Sequence, residues 1–133
     1  MDTNVLVSAF ATRGLCADVF RYVLAENTLV TGEVVLRELR RVLRVQLKLP
    51  AEAVDAIEEF LREHEVVEKP KQPCAVPVGD RDDQWVLSSA VAARADVFVT
   101  GDRDLLNLGS RAPLPILSPR GFWDLLRKKT SRR

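Results

Sequence analysis

The stretch Asp96-Val97-Phe98-Val99-Thr100-Gly101-Asp102-Arg103-Asp104 decides the fold. A short β-branched run that breaks at a glycine reads as a buried strand, and Asp102 falls just past its C-terminal end. Immediately before it, apolar side chains at 86, 87, 90 and 91 give a helix from Asp82 or Asp83 to about Arg94 one buried face. An acid at that helix start accepts from free backbone N–H groups and sits at the positive end of the helix dipole. After it, Ile116-Leu117 is a second brief strand, and Ser118-Pro119 supplies an N-cap and a first-position proline for a last helix through about Lys128. Strands separated by helices predict an α/β fold with a mainly parallel sheet.

Toward the N-terminus, Val34 to Leu47 carries apolar residues at 35, 39, 42, 43 and 47 with arginines at 37, 40, 41 and 44. That stripe predicts an amphipathic helix opened near Thr31 and closed before Pro50. A further helix from Ala51 to about His64 sets Val54, Ile57, Phe60 and Leu61 against an acidic face of Asp55, Glu58, Glu59 and Glu63, expected to be solvated. Three prolines and Gly79 make Lys69 to Gly79 a loop, with a short extended piece around Cys74 to Val78.

Composition narrows the function. With 133 residues, 47% of them hydrophobic, and no apolar run near the roughly 18 residues of a membrane span, one soluble domain over residues 1–133 is expected, ending in a flexible basic tail at 128–133. Twenty Lys and Arg against nineteen Asp and Glu leave a net charge of +1, which excludes a binder that works by bulk positive charge. Two cysteines far apart and the lone His64 support neither a zinc site nor a disulfide framework. Met1-Asp2-Thr3-Asn4 shows no secretory signal, so the expected compartment is the cytoplasm.

In open parallel sheets, ligands bind beyond the carboxyl ends of the strands, so acids at strand-to-helix transitions are the best site candidates. Asp2, Asp83 and Asp102 fit that description. Glu38 joins them because its helical neighbours Val34, Val42 and Val45 make a partly apolar setting in which a carboxylate needs a partner. Each has an ordinary reading too: Arg41 as the ion-pair partner of Glu38, helix capping for Asp83 and Asp102, and an exposed terminus for Asp2. If the four converge, two carboxylates about 4 Å apart repel by roughly 4 kcal/mol at an effective dielectric of about 20, and a cation or proton must offset it. Oxygen-only ligands suit Mg²⁺ or Mn²⁺.

Four segments carry a resemblance to a family. Asp2-Thr3-Asn4-Val5-Leu6-Val7-Ser8-Ala9, Val35-Leu36-Arg37-Glu38-Leu39, Asp80-Arg81-Asp82-Asp83-Gln84-Trp85-Val86-Leu87 and Val99-Thr100-Gly101-Asp102-Arg103-Asp104-Leu105-Leu106 resemble, in order, the acidic motifs of PIN-domain ribonucleases. The branch they look like is the VapC-like toxin components of toxin-antitoxin systems. The resemblance implies a Rossmann-like three-layer α/β/α fold and an endoribonuclease dependent on one or two Mg²⁺ or Mn²⁺ ions. It gives catalytic roles to Asp2, Glu38, Asp83 and Asp102, and metal contacts to Asp2, Asp83, Asp102 and the accessory Asp104. Thr3, Asn4, Asp80 and Thr100 would orient carboxylates or water. Arg13, after the first motif, is placed to meet substrate. The implied partners are RNA, a cognate antitoxin that inserts a segment into the acidic groove, and often a second copy of the chain. No membrane partner is expected.

The sequence departs from the family in two places. Only Met1 precedes Asp2, where the family has several apolar residues forming the central strand, so a natural start upstream of Met1 is expected. Gly32 stands near a position where the family often has a hydroxyl residue, with Thr31 the expected substitute. A catalytically degenerate PIN domain acting as a binding partner is therefore the first competing reading. A phosphoacceptor-receiver module would need a lysine after the late strand, where Ser118-Pro119-Arg120 stands instead. DNA-directed 5′ nucleases need arches for which the chain is short. Trp85 and Trp123 read as core residues, and the basic C-terminal end as a solvated tail more than a phosphate contact.

Overall fold

Two parallel strand pairs carry the architecture. The structure, a computed structural model, describes residues 1–73 and 79–131, with helical side chains through Lys128. Helices α1 (Thr3–Ala11) and α2 (Leu15–Glu26) lead to β1 (Val30–Gly32), α3 (Glu33–Arg41), a π-helical turn (Val42–Gln46) and α4 (Ala51–Arg62). Then follow β2 (Glu65–Val67), α5 (Arg81–Ala92), β3 (Phe98–Val99), α6 (Arg103–Leu106), a 3-10 turn (Gly109–Arg111), β4 (Ile116–Leu117) and α7 (Pro119–Ser131). β1 pairs with β2 in the register Val30↔Glu65 through Gly32↔Val67, and β3 pairs with β4 as Phe98↔Ile116 and Val99↔Leu117. Every connection between paired strands is a crossover through helix or long loop, as parallel pairing requires. Among the described residues, no helix is long and apolar enough to cross a membrane.

Leu6, Leu43, Leu61, Leu87 and Leu105 are fully buried in one core cluster, drawn from five different helical segments. Each contributes roughly 1.5–3 kcal/mol of burial. Helices α3 and α5 pack on β1, and α7 on β4. α4 is tied to α3 by its acidic side: Arg40 pairs with Asp55 at 2.7 Å and Glu58 at 3.4 Å, while Arg62 pairs with Glu33 at 2.7 Å and Glu58 at 3.1 Å. The face expected to be merely solvated is thus an exposed ion-pair network, modest in energy but fixing the packing angle.

Several local expectations change. α5 starts one residue earlier than expected, because Asp80 and not Asp82 or Asp83 is the cap: its Oδ1 accepts from Asp82 N–H at 2.8 Å. Thr31 does not open α3. It lies within β1, its hydroxyl is buried without a hydrogen-bond partner, and the cap position belongs to Gly32, which makes no side-chain bond. Glycine is required there for closeness, since a Cβ would stand 3.0 Å from the Ser89 Cβ of α5. Ser118 does cap α7, accepting from Gly121 N–H at 3.0 Å. That helix continues to Ser131, so residues 128–131, expected in a flexible tail, are helical. The extended piece expected over 74–78 lies outside the described residues.

Candidate active site

Asp2 stands at the end of β3. Its backbone N–H donates to the Val99 carbonyl at 2.8 Å, and the chain then turns directly into α1. The carboxylate is buried, which would be costly without partners. It has two: Oδ1 accepts from Thr3 N–H and Oδ2 from Thr100 Oγ1, both at 2.7 Å. The Thr100 hydroxyl in turn accepts from Asp102 N–H at 3.0 Å, and Asp102 Oδ1 accepts from Asp104 N–H at 2.8 Å, capping α6. A continuous hydrogen-bonded chain therefore runs Asp104, Asp102, Thr100, Asp2, Thr3. Charge-assisted bonds of this kind are about twice as strong as neutral ones and fix both aspartates.

Asp83 is released from capping by Asp80 and turns to the same region. Burial is the first cause that pushes its carboxyl up to about 7; repulsion from Asp80, Asp102, Asp2 and Glu38 adds to it. Glu38 is likewise raised, by burial first and then by Asp2, with Asp82 adding. The Thr3 hydroxyl opposes this shift, and Arg41, the expected partner, contributes the weakest attraction. Thr3 Oγ1 lies near enough to Glu38 to favour its ionised form, yet it is buried without a partner that meets hydrogen-bond geometry.

Asp2, Glu38, Asp83 and Asp102 thus share one field with Asp80, and Asp82 reaches it through Glu38. Asp82 was not among the expected site residues; the crowding of three acids at one helix start was its signal. Asp104 joins through its backbone N–H, and its side chain is exposed. Asn4 is exposed on the first turn of α1, and Arg13 is exposed beyond the far end of that nine-residue helix, roughly 15 Å along its axis. Lys69 Nζ covers the Trp85 ring at 4.2 Å from its centroid, and Trp123 meets Tyr22 edge to face at 6.3 Å. Both tryptophans are packed, as the sequence suggests.

Oxygen donors only, mutual repulsion and an orphaned hydroxyl beside them form a donor set that fits a hard divalent cation. Among the described residues, no three His, Cys, Asp or Glu side chains stand close enough to ligate one ion as they are. The carboxylates form a shared field and not a closed cage.

The family model of the PIN domain matches residues 1–104. The chain belongs to the PIN domain family. The match ends at Asp104, so every acid of this PIN domain's shared field lies inside it. The structure is similar to a chain of VapBC2 from Rickettsia felis, solved bound to a DNA fragment from their promoter, with a TM-score of 0.61 and 18% identity. The likeness covers 88% of this chain and 95% of that one. No curated protein matches the sequence. The PIN fold, helices on either side of parallel strands in a three-layer α/β/α arrangement, places the acids of this chain at the C-terminal strand ends.

Proposed function

We propose that this PIN domain is a divalent-metal-dependent endoribonuclease that hydrolyses RNA phosphodiester bonds, and that it is the toxin of a type II toxin-antitoxin pair. The observation that carries the reading is the convergence of Asp2, Glu38, Asp83 and Asp102, with the Asp83 carboxyl pushed up to about 7. Sites of chemistry concentrate such perturbed groups. Asp2, Asp83 and Asp102 would hold Mg²⁺ or Mn²⁺. Bound there, the ion supplies charge neutralisation for the phosphodiester and lowers the pKa of water.

The protein's own groups do the rest. The Thr100 hydroxyl holds Asp2 Oδ2 and the Asp102 backbone in fixed relation, so the donors are preorganised before substrate arrives. Glu38 and Asp83, both holding protons more tightly than usual, are suited to take one from the attacking water near neutral pH. Hydrolysis then forms a P–O bond to water and breaks the bond to the leaving sugar oxygen, which takes up a proton. No side-chain nucleophile is needed. The same acidic field suits an arginine or lysine presented by a cognate antitoxin, which would occupy the groove by charge-assisted hydrogen bonds. An intracellular RNA target makes the cytoplasm the working compartment.

A binding-only PIN domain is the second reading, favoured by the open spacing of the carboxylates. Incubation with structured and single-stranded RNA, with Mn²⁺ or with EDTA, separates the two. Cleavage that needs the ion and is lost in Asp83→Asn supports the nuclease. Cleavage that survives EDTA or the substitution overturns it, and absence of cleavage on every RNA, with the ion still bound, favours the binding module.

A further inference from the structure

At the opposite end of the strands from the carboxylates, a cavity of about 590 Å³ separates the two strand pairs. β1 forms one wall and β3 the other, with Val35, Val86, Ala90 and Phe122 closing the faces. Among the described residues, β1 pairs only with β2 and β3 only with β4, so both edges that face the cavity lack a strand. The backbone of β3 is explicit. Phe98 N–H donates to Pro115 O and Thr100 N–H to Leu117 O, so Val99 between them turns the other way, into the slot. The Val99 carbonyl takes the Asp2 N–H there, and this single bond sets a parallel register.

That register can be continued by geometry alone. In a parallel ladder, the residue joined to the Met1 nitrogen would present its carbonyl to Val99 N–H and its own N–H to the Val97 carbonyl. Two further observations point into the same space. Thr31, on the β1 wall, has a buried hydroxyl with no partner. The Met1 side chain is only partly covered, but its amino group is buried, and that burial pushes it down to about 6. A charged amine at the blind end of an apolar slot is out of place, and an amide would not be. Asn27, Thr28, Ala95 and Asp96, which precede β1 and β3, mark the slot's mouth on the side away from the acids.

We propose that the slot is a strand site, and that its occupant is an apolar extended segment of three to five residues joined to the Met1 nitrogen and parallel to β1 and β3. With both faces covered by helices, such a strand would be apolar on both sides. It would merge the two pairs into one sheet and hold Asp2 from behind, at a position now fixed by one backbone bond. The proposal rests on the slot and not on the nuclease reading.

The test uses the full chain in three forms: as it stands, with Val-Val-Leu-Val placed ahead of Met1, and with Asp-Lys-Glu-Lys placed there. Thermal unfolding and amide hydrogen exchange are read without RNA or metal. The apolar form is expected to melt at least about 5 °C above the other two, a shift of the size that a few buried side chains give a domain of this length. Exchange at Val99 N–H should slow by at least about tenfold in that form alone. Equal protection of Val99 in both extended forms, or an apolar form that melts no higher or fails to fold while the charged form folds, overturns the proposal. Activity is not read, so a failure here leaves the nuclease reading untouched.

Discussion

The two ends of the parallel strands make opposite use of buried polar groups. At the C-terminal ends, Asp2, Thr100 and Asp102 satisfy one another through bonds of 2.7 to 3.0 Å, and charge is retained inside the protein at the expense of repulsion around Asp83. At the N-terminal ends, the space between β1 and β3 is apolar, yet it holds an unpaired Thr31 hydroxyl and a buried amine. The contrast shows that polar burial marks function only when the groups are organised toward one another. The upper end has a network and the lower end has orphans, so chemistry is expected above and a missing structural partner below.

The largest expected effect breaks the upper end. Asp83→Asn should reduce RNA cleavage by 100-fold or more, on the order of 3 kcal/mol of transition-state stabilisation, while the protein stays folded. The same substitution should make the metal-free protein more stable at pH 8. An acid whose folded pKa is raised binds its proton more tightly folded than unfolded, so ionisation costs stability as pH rises from the ordinary 3.8 to about 7. The stability gain of the mutant, measured by thermal unfolding in EDTA, should therefore be full above pH 7 and vanish below about pH 4. A mutant less stable than the parent at pH 8 would show that Asp83 is not under repulsion.

Gly32→Ala tests the contact between β1 and α5. The added methyl would stand 3.0 Å from Ser89 Cβ, and the overpacking should cost roughly 1–3 kcal/mol in denaturant unfolding. Restoring space with Gly32→Ala combined with Ser89→Gly should recover part of that loss. Thr100→Val removes the hydroxyl that joins Asp2 to Asp102, and the buried Asp2 Oδ2 then lacks its donor. A loss of about 1–3 kcal/mol of stability is expected, with a fall in cleavage, since both aspartates lose a common anchor. The smallest effect lies at the lower end. Thr31→Val keeps the shape and removes an unsatisfied hydroxyl, so it should be neutral or stabilise by about 1 kcal/mol. A marked loss would mean the hydroxyl already has a partner, and the contrast between the two ends would weaken.

Much of the upper end was legible in the chain. The run from Val97 to Asp102 identified β3 and the acid beyond it, and Ser118-Pro119 placed the start of α7. The four motif acids were named individually, but capping and function could not be separated for Asp83, because Asp80, Asp82 and Asp83 compete for the same helix start. The structure separates them through one bond, Asp82 N–H to Asp80 Oδ1. Asp102 turned out to do both, capping α6 while repelling Asp83. β1 and β2 were missed because three residues are too few to display an alternation, and such strands owe their form to pairing and not to local preference. Thr31 was misread for the same reason: beside Gly32 it looks like a helix cap, and only the pairing with Val66 shows it to be strand.

The sequence by itself determined the class of fold, the order of the acidic motifs, the oxygen-only chemistry of the site and the exclusion of bulk-charge binding. These follow from composition and from local periodicity, which are properties of neighbouring residues. Only the tertiary structure decided that residues 2, 38, 83 and 102 share one field, that Thr100 holds Asp2 across 98 positions of chain, and that β1 and β3 face each other across an empty strand position. Electrostatic coupling and backbone pairing act through space, so a chain read in order can list the partners but cannot state which of them meet.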